Sequence, residues 1–180
     1  AICQLSSDIY FGGNSSHVYK WDGSTVTLVA SATYLSSIYS IVTDGTDLYV
    51  GGDFDDIGDL LSCDGLAKYD VSGNTWSNLS WVTPSATYAL LWHGGELYAT
   101  GTAGFHKYNG SWSSLGLTGT GYALASLDAD IIVGGNFTDY LKIWDGVSLS
   151  TLADGTDGVV RAITTYLSDV YIAGDMTGHV

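Results

Sequence analysis

Positive charge is what this chain has least of. Five lysines and arginines stand against 19 acidic residues, a formal net charge of −14 over 180 residues. Phosphate backbones are bound through basic patches, so nucleic acid is not an expected partner. Anionic membrane surfaces are disfavoured for the same reason. No run of about eighteen apolar residues occurs, so no helical membrane span is expected. There is one proline, and no long segment places apolar residues at helical spacing, which argues against a helical bundle. Charged residues are only 13% and hydrophobic residues 46%, which is not the composition of a disordered chain.

Cysteine is equally sparse. Cys3 and Cys63 lack the paired spacing of a metal site. They read either as a disulfide between the first two repeats or as two buried free thiols. Sets of residues that carry chemistry are missing too. There is no Gly-x-Ser-x-Gly elbow, no evident base with an orienting partner, and no glycine-rich phosphate loop opening a helix. No catalytic residue and no cofactor are assigned, and a non-enzymatic protein is expected. His17 and His179 occupy matching places in the repeats described below, and His93 and His106 stand apart, so no zinc set is assigned.

What the chain has is glycine, 24 residues, together with 13 tyrosines and six tryptophans. Aromatic runs punctuated by glycine favour short strands and tight turns. One short apolar run stopped by glycine occurs five times. It reads Ile9-Tyr10-Phe11-Gly12-Gly13, Leu48-Tyr49-Val50-Gly51-Gly52, Leu97-Tyr98-Ala99-Thr100-Gly101, Ile131-Ile132-Val133-Gly134-Gly135 and Val170-Tyr171-Ile172-Ala173-Gly174. Spacings between the first residues of these doublets are 39, 49, 34 and 39. A period in this range with four strands per unit points to β-propeller blades. One blade cannot bury both faces alone, and strands crowded near an axis need a residue without a side chain where backbones approach.

The expected fold is therefore all-β, a single propeller domain over 1–180. Its repeats run about 1–34, 35–86, 87–121 and 122–158, with a partial fifth over 159–180. The first repeat reads as strands at 2–5, 8–12, 17–21 and 25–30. The second reads as 39–43, 48–51, 66–69 and 75–79; the third as 88–92, 96–100, 105–108 and 112–115. The fourth reads as 122–126, 130–134, 141–144 and 147–152, and the fifth as 161–165 and 169–173. Asp22-Gly23, Asp44-Gly45, Asn109-Gly110 and Asp145-Gly146 supply hairpin turns. Gly178-His179-Val180 matches Ser16-His17-Val18, so the fifth repeat stops where a third strand would begin.

A second signature follows the first four of these: Lys20-Trp21-Asp22-Gly23, Lys68-Tyr69-Asp70, Lys107-Tyr108-Asn109-Gly110 and Ile143-Trp144-Asp145-Gly146, with Trp76 and Trp112 on the next strand. These aromatics are expected to pack between blades; a sugar-stacking platform would need them exposed. Gly51-Gly52, then Tyr69, then Trp76 resembles the kelch pattern. The form YVGGDF, AKYD, TW is also similar to repeats of bacterial surface adhesins and fungal cortical-marker surface proteins. The resemblance covers the whole chain and implies a propeller with an extracellular or cell-surface binding role. Galactose oxidase uses such a propeller catalytically, but its copper ligands have no counterpart here. Thr100-Gly101 and Ala173-Gly174 depart from the glycine doublet.

Four of the five asparagines begin an Asn-x-Ser/Thr triplet: Asn14, Asn78, Asn109 and Asn136. Serine and threonine make up 39 of 180 residues, so chance would give such a triplet about one time in five. The pattern favours N-glycosylation and a secreted protein. The chain opens on a strand, Ala1-Ile2-Cys3-Gln4-Leu5, without an initiator methionine or a signal peptide, as a mature, trimmed or partial chain would. The loop from Asp53 to Asp64 is acidic. Asp53, Asp55, Asp59 and Asp64 fall at positions one, three, seven and twelve of a calcium-loop pattern, with Gly58 at six. Ile57 occupies position five and Asp64 stands where glutamate is usual, so a solvated turn cluster is the stronger reading. The function expected is that of a structural or adhesive extracellular glycoprotein. Self-association through strand edges of the incomplete last blade could build head-to-tail filaments, and cell-surface or matrix partners are expected. The alternative is a carbohydrate-binding, lectin-like propeller using exposed aromatics.

Overall fold

In a computed structural model of the chain, residues 1–33, 37–81 and 85–178 are described. They form two compact units, Ala1–Trp92 and His93–Val180. The described residues contain strands and turns and no helix. The repeat boundary between 34 and 35, the single proline at 84, and His179 with Val180 lie outside the described residues.

The first unit contains β1 (Ile2–Leu5), β2 (Asp8–Gly12), β3 (His17–Trp21), β4 (Val26–Thr33), β5 (Ser37–Thr43), β6 (Leu48–Asp53), β7 (Asp56–Ile57), β8 (Leu66–Asp70), β9 (Thr75–Asn78) and all but the last residue of β10 (Thr87–His93). The antiparallel order β1-β2-β3-β4 makes the first sheet, and β5-β6-β8-β9 the second. In the second unit, β11 (Glu96–Gly101), β12 (Gly104–Tyr108) and β13 (Trp112–Ser114) pair in sequence. A four-stranded sheet follows, β14 (Gly119–Leu127), β15 (Asp130–Phe137), β16 (Leu141–Trp144) and β17 (Leu149–Thr151). The last sheet is the pair β18 (Val160–Tyr166) and β19 (Asp169–Gly174).

Every strand expected from the repeat occurs, with ends displaced by a few residues, and β7 is added. It lies in the acidic loop and pairs with the end of β4 through Ala32 and Ile57. The loop is folded in, not a solvated turn cluster. Phe54, Ile57 and Cys63 are buried in the core of the first unit, with Ile38, Leu48 and Val50. The apolar residues of the loop, not its aspartates, decide where it lies, because burying them contributes far more than solvated carboxylates cost.

The hairpin turns work as their residues require. Asp22 accepts hydrogen bonds from the backbone N–H of Ser24 and Thr25 at 2.9 and 2.8 Å. Asp145 does the same for Val147 and Ser148 at 2.9 and 2.7 Å. Each aspartate replaces the backbone partners that a tight turn leaves unpaired.

The two glycines of the doublet answer different crowding. The first lies where the next sheet crosses. A Cβ on Gly51 would sit 2.8 Å from Thr87 Cγ2, one on Gly12 would sit 3.0 Å from Ile38 Cβ, and one on Gly134 would overlap Val160 Cγ1. The second glycine faces its own sheet. A Cβ on Gly52, Gly135 or Gly174 would overlap the carbonyl oxygen of Ser37, Thr120 or Val159. Those carbonyls belong to the partner strand just before a β-bulge, at Ile38/Ser40, Gly121/Ala123 and Val160/Ala162.

Thr100 breaks the doublet, and the neighbouring strand compensates. Position 121 is glycine, where the equivalent residues are Ile38, Thr87 and Val160. A Cβ there would overlap the Thr100 side chain. The bare residue has moved from one side of the contact to the other. Thr100 is fully buried, and its hydroxyl donates to Gly104 O at 2.9 Å.

Candidate functional site

The β18–β19 sheet differs from the others in what covers it. One face packs inward: Ile163, Val170 and Ile172 lie against a buried cluster of Ile132, Leu141 and Val160. The opposite face carries Ala162, Thr164, Tyr171 and Ala173, all exposed. A shallow depression of about 170 Å³ runs between these residues. A larger apolar groove, about 430 Å³, opens beside it between Leu141, Leu152 and Ala153 on one side and Val170, Tyr171 and Ile172 on the other. The hairpin tip adds Tyr166 and Leu167, 67% and 82% exposed. Among the described residues no strand pairs with the outer edge of β19, whereas β2, β6, β11 and β15 each hold a third strand. A free edge with exposed apolar faces offers hydrogen-bonding groups and contact area to an added strand.

The bulges place a second set of side chains. Tyr39, Tyr122 and Arg161 are the extra residues of the three bulges above, and Tyr88 holds the matching position in β10. A bulge turns its residue out of the pleat. In the first unit the rings of Tyr39 and Tyr88 lie 5.1 Å apart, and Tyr39 is 38% exposed. In the second unit the Arg161 guanidinium lies 5.5 Å from the Tyr122 ring centre. Its Nε and Nη2 both donate to Asp175 Oδ2, at 3.0 and 2.6 Å. That bond and the arginine's charge hold the Asp175 carboxyl below its ordinary pKa. Sequence reasoning missed this set. The signal is a large residue in the second to fifth repeats, followed by a small one eleven residues before the first residue of the doublet.

The expected aromatic pairs are mostly packed. Tyr69 and Trp76 lie 4.8 Å apart, with Tyr69 buried in the core of the first unit. Tyr108 and Trp112 lie 5.0 Å apart and are half-buried. The lysine before each aromatic reaches the acidic residue that opens the second strand: Lys20 to Asp8 at 3.3 Å, Lys68 to Asp47 at 2.8 Å, Lys107 to Glu96 at 3.1 Å. In the fourth repeat Ile143 takes that position, and Lys142 pairs with Asp139 at 3.4 Å instead.

The sequon asparagines Asn14, Asn78, Asn109 and Asn136 are all exposed. Asn78 is the most engaged. Its side-chain amide donates to Ser62 O at 2.7 Å, and its Oδ1 accepts from Ser80 N–H at 2.6 Å. Cys3 and Cys63 carry free thiols and are not joined. Burial pushes the Cys63 thiol up to about 12, and its Sγ donates to Asp55 O at 3.2 Å.

Asp53, Asp55, Asp59 and Asp64 are not drawn into a set that could hold a metal ion, and no such His/Cys/Asp/Glu group occurs among the described residues. Asp56 instead accepts from Ser62 N–H within the loop and from the Thr33 hydroxyl at the end of β4, each at 2.9 Å. His106 is buried, and burial lowers its pKa.

The chain has the fold of a β-propeller, with about four to five blades, and solved propellers match it over nearly its whole length. A chain of a crystal structure of the mitotic checkpoint complex aligns at TM-score 0.74 and 19% identity, over 96% of this chain and 57% of that one. The WD40 β-propeller domain of Doa1 aligns at 0.71 and 13% identity, over 93% and 58%. The extracellular domain of the one-component system BT4673 from B. thetaiotaomicron aligns at 0.70 and 13%, over 97% and 26%. The chain thus spans a little over half the length of the first two. No family model matches the sequence, and no curated protein matches it. Among the described residues no helix is long and apolar enough to cross a membrane.

Proposed function

We propose that this chain is a non-enzymatic, kelch-like repeat unit of an extracellular structural or adhesive glycoprotein, and that it associates with further copies of itself through the β18–β19 sheet. The outer edge of β19, with which no strand pairs among the described residues, and its exposed outer face carry the reading. A strand donated by a second copy continues the hydrogen-bond ladder and covers Tyr171 and Ala173. Because the donor and acceptor surfaces differ, the contact is head-to-tail and extends into a filament. Exposure of all four sequon asparagines supports glycosylation and an extracellular or cell-surface placement.

Sedimentation velocity over a wide concentration range, with electron microscopy of the concentrated sample, tests the association. Concentration-dependent oligomers that Tyr171→Lys abolishes are expected. A monodisperse monomer at the highest concentration removes the reading. Intact mass of protein from its natural source, before and after deglycosylation, tests the glycan assignment at Asn14, Asn78, Asn109 and Asn136.

A lectin-like role is favoured by one observation: the rings of Tyr39, at a bulge, and Tyr88, at the matching position of β10, lie together in the first unit and are partly open to solvent. A glycan array read with the unchanged protein and with Tyr39→Ser separates this role from simple assembly.

A further inference from the structure

We infer that the outer face of the β18–β19 sheet of one copy is covered by the outer face of the first sheet, β1–β4, of the next copy, which rests on the self-association proposed above and names the second half of that contact. The repeat sets the arrangement. Side chains alternate across a strand, and directly paired residues of antiparallel strands share a face. In the first, second and fourth sheets the face with the first glycine of the doublet packs on the following sheet. A Cβ on Gly12 would meet Ile38, one on Gly51 would meet Thr87 and Leu90, and one on Gly134 would meet Val160 and Ile163.

The following sheet answers with its opposite face. In the second sheet that face pairs Leu48 with Tyr69 and Val50 with Ala67, and all four are at most 6% exposed. In the first sheet the same places are held by Ile9 with Trp21 and Phe11 with Tyr19. Ile2 stands ten residues before Gly12, as Ile41, Leu90 and Ile163 stand before Gly51, Thr100 and Ala173. Ile41 and Leu90 are 4% and 5% exposed, whereas Ile2 is 71% exposed. Trp21 is 39% exposed, and Val26, which pairs with it, 55%. The rings of Phe11 and Tyr19 stack at 5.6 Å and are only half-buried. The first sheet thus presents the kind of apolar face that elsewhere lies on a doublet face.

The β18–β19 sheet presents the doublet face. Ala162 pairs with Ala173 and Thr164 with Tyr171, so the four share one side. Ile2 of a second copy then lies over Ala173, as Ile163 lies over Gly134, at the depression of about 170 Å³ among these residues. Small side chains on one face meet large ones on the other. None of these residues is charged, in a chain of net charge −14. Copies repel elsewhere, so contact is favoured where two uncharged apolar faces meet. Both halves of the contact stand on one chain and differ from each other, so the occupant is a second copy and the contact is heterologous.

The test mixes two full-length variants, each spoiled on one face. Trp21→Lys puts a charge on the first-sheet face, and Tyr171→Lys puts one on the β18–β19 face. Each alone should weaken association at least about tenfold, since the contact would bury an unpaired charge. Mixed in equal amounts they should form a one-to-one dimer and nothing larger, through the one pair of unspoiled faces. Sedimentation velocity reads the size, and native mass spectrometry tells the two chains apart. Ile2→Lys, at the most exposed of these positions, replaces Trp21→Lys if that variant fails to fold. If Trp21→Lys and Ile2→Lys associate like the unchanged chain while Tyr171→Lys does not, the assignment is overturned and association through β19 stands. A mixture that stays monomeric also overturns it. An unchanged chain that is monomeric at every concentration overturns both.

Discussion

β15 and β19 are the same strand of the repeat, and they sit in opposite environments. Asp130 aligns with Asp169, Ile132 with Tyr171, Val133 with Ile172, Gly134 with Ala173, and Gly135 with Gly174. Ile131, Ile132 and Val133 are at most 1% exposed, whereas Tyr171 is 52% exposed. The inward face is shared, since Ile172 packs on the preceding sheet. The outward face differs: β18 covers Ile132 and Gly134, and no described element covers Tyr171 and Ala173. The repeat therefore builds a strand that is buried on both sides where a further described sheet packs on it. Tyrosine is the usual residue at this place, and Tyr10, Tyr49 and Tyr98 are only 2%, 5% and 6% exposed, so the exposure of Tyr171 follows from what lies beside it and not from its residue type.

The largest effect should come from attacking the covered face. Ile132→Ala leaves a cavity among Leu141, Val160 and Ile163 and should cost about 2–5 kcal/mol. Gly134→Val drives a branched side chain into Val160 and Ile163 and should cost at least about 1–3 kcal/mol. The matching changes on the open face, Tyr171→Ala and Ala173→Val, should stay within about 0.5 kcal/mol at low protein concentration. Chemical denaturation of the four variants checks the contrast. Equal losses at 132 and 171 would mean that something covers β19 in solution; if that loss at 171 vanishes on dilution, the cover is a second copy of the chain.

A smaller effect separates local sequence from contact. Gly121→Ala alone should destabilise, because its new Cβ meets Thr100. Thr100→Gly alone removes a buried hydrogen bond to Gly104 and should also destabilise. Together they restore the arrangement of the other contacts, a bare residue on the second strand and a side chain on the next. A double-mutant cycle should show a favourable coupling of about 0.5–3 kcal/mol. Additive losses would show that the displaced glycine is incidental.

That pair also marks how far the sequence could be read. Glycine doublets, hairpin aspartates and the two-strand last repeat were legible, because each is a local pattern tied to backbone geometry. Thr100-Gly101 looked like decay of the doublet, since its compensation lies 21 residues away on another strand. The acidic loop misled for a related reason. Its aspartates are conspicuous, while Phe54, Ile57 and Cys63, which fix its path, are spaced irregularly. At the candidate site the two strands β18 and β19 were read from the repeat, and among the described residues no third strand joins them. The bulge residues Tyr39, Tyr122 and Arg161, and Tyr88 at the matching position, went unnoticed, because a bulge leaves no composition signal of its own. The face shared by Ile9, Phe11, Tyr19 and Trp21 rests on strand register and is not written in the local pattern.

The smallest effect distinguishes how the covered and open sheets hold their carboxylates. Asp145, in the β16–β17 hairpin, has its pKa lowered by backbone N–H donors from Ser148 and Val147. Asp175, at the end of β19, is lowered by a hydrogen bond from Arg161 and that residue's charge. Both groups have folded pKa values below the ordinary 3.8, so each contributes stability at neutral pH that disappears as pH falls through its folded pKa. Their response to salt should differ. The Arg161–Asp175 pair is more than half exposed on both sides and is open to screening. The Asp145 bonds run to fixed backbone donors at 2.9 and 2.7 Å and carry no ionic partner. Carboxyl NMR titration in low and molar salt should move Asp175 back toward 3.8 and leave Asp145 low. Asp22, bound in the same manner and lowered to about 2, should stay with Asp145. If Asp175 ignores salt, the β18–β19 sheet is more shielded than its exposed side chains imply, and the contrast between β15 and β19 fails at its electrostatic end.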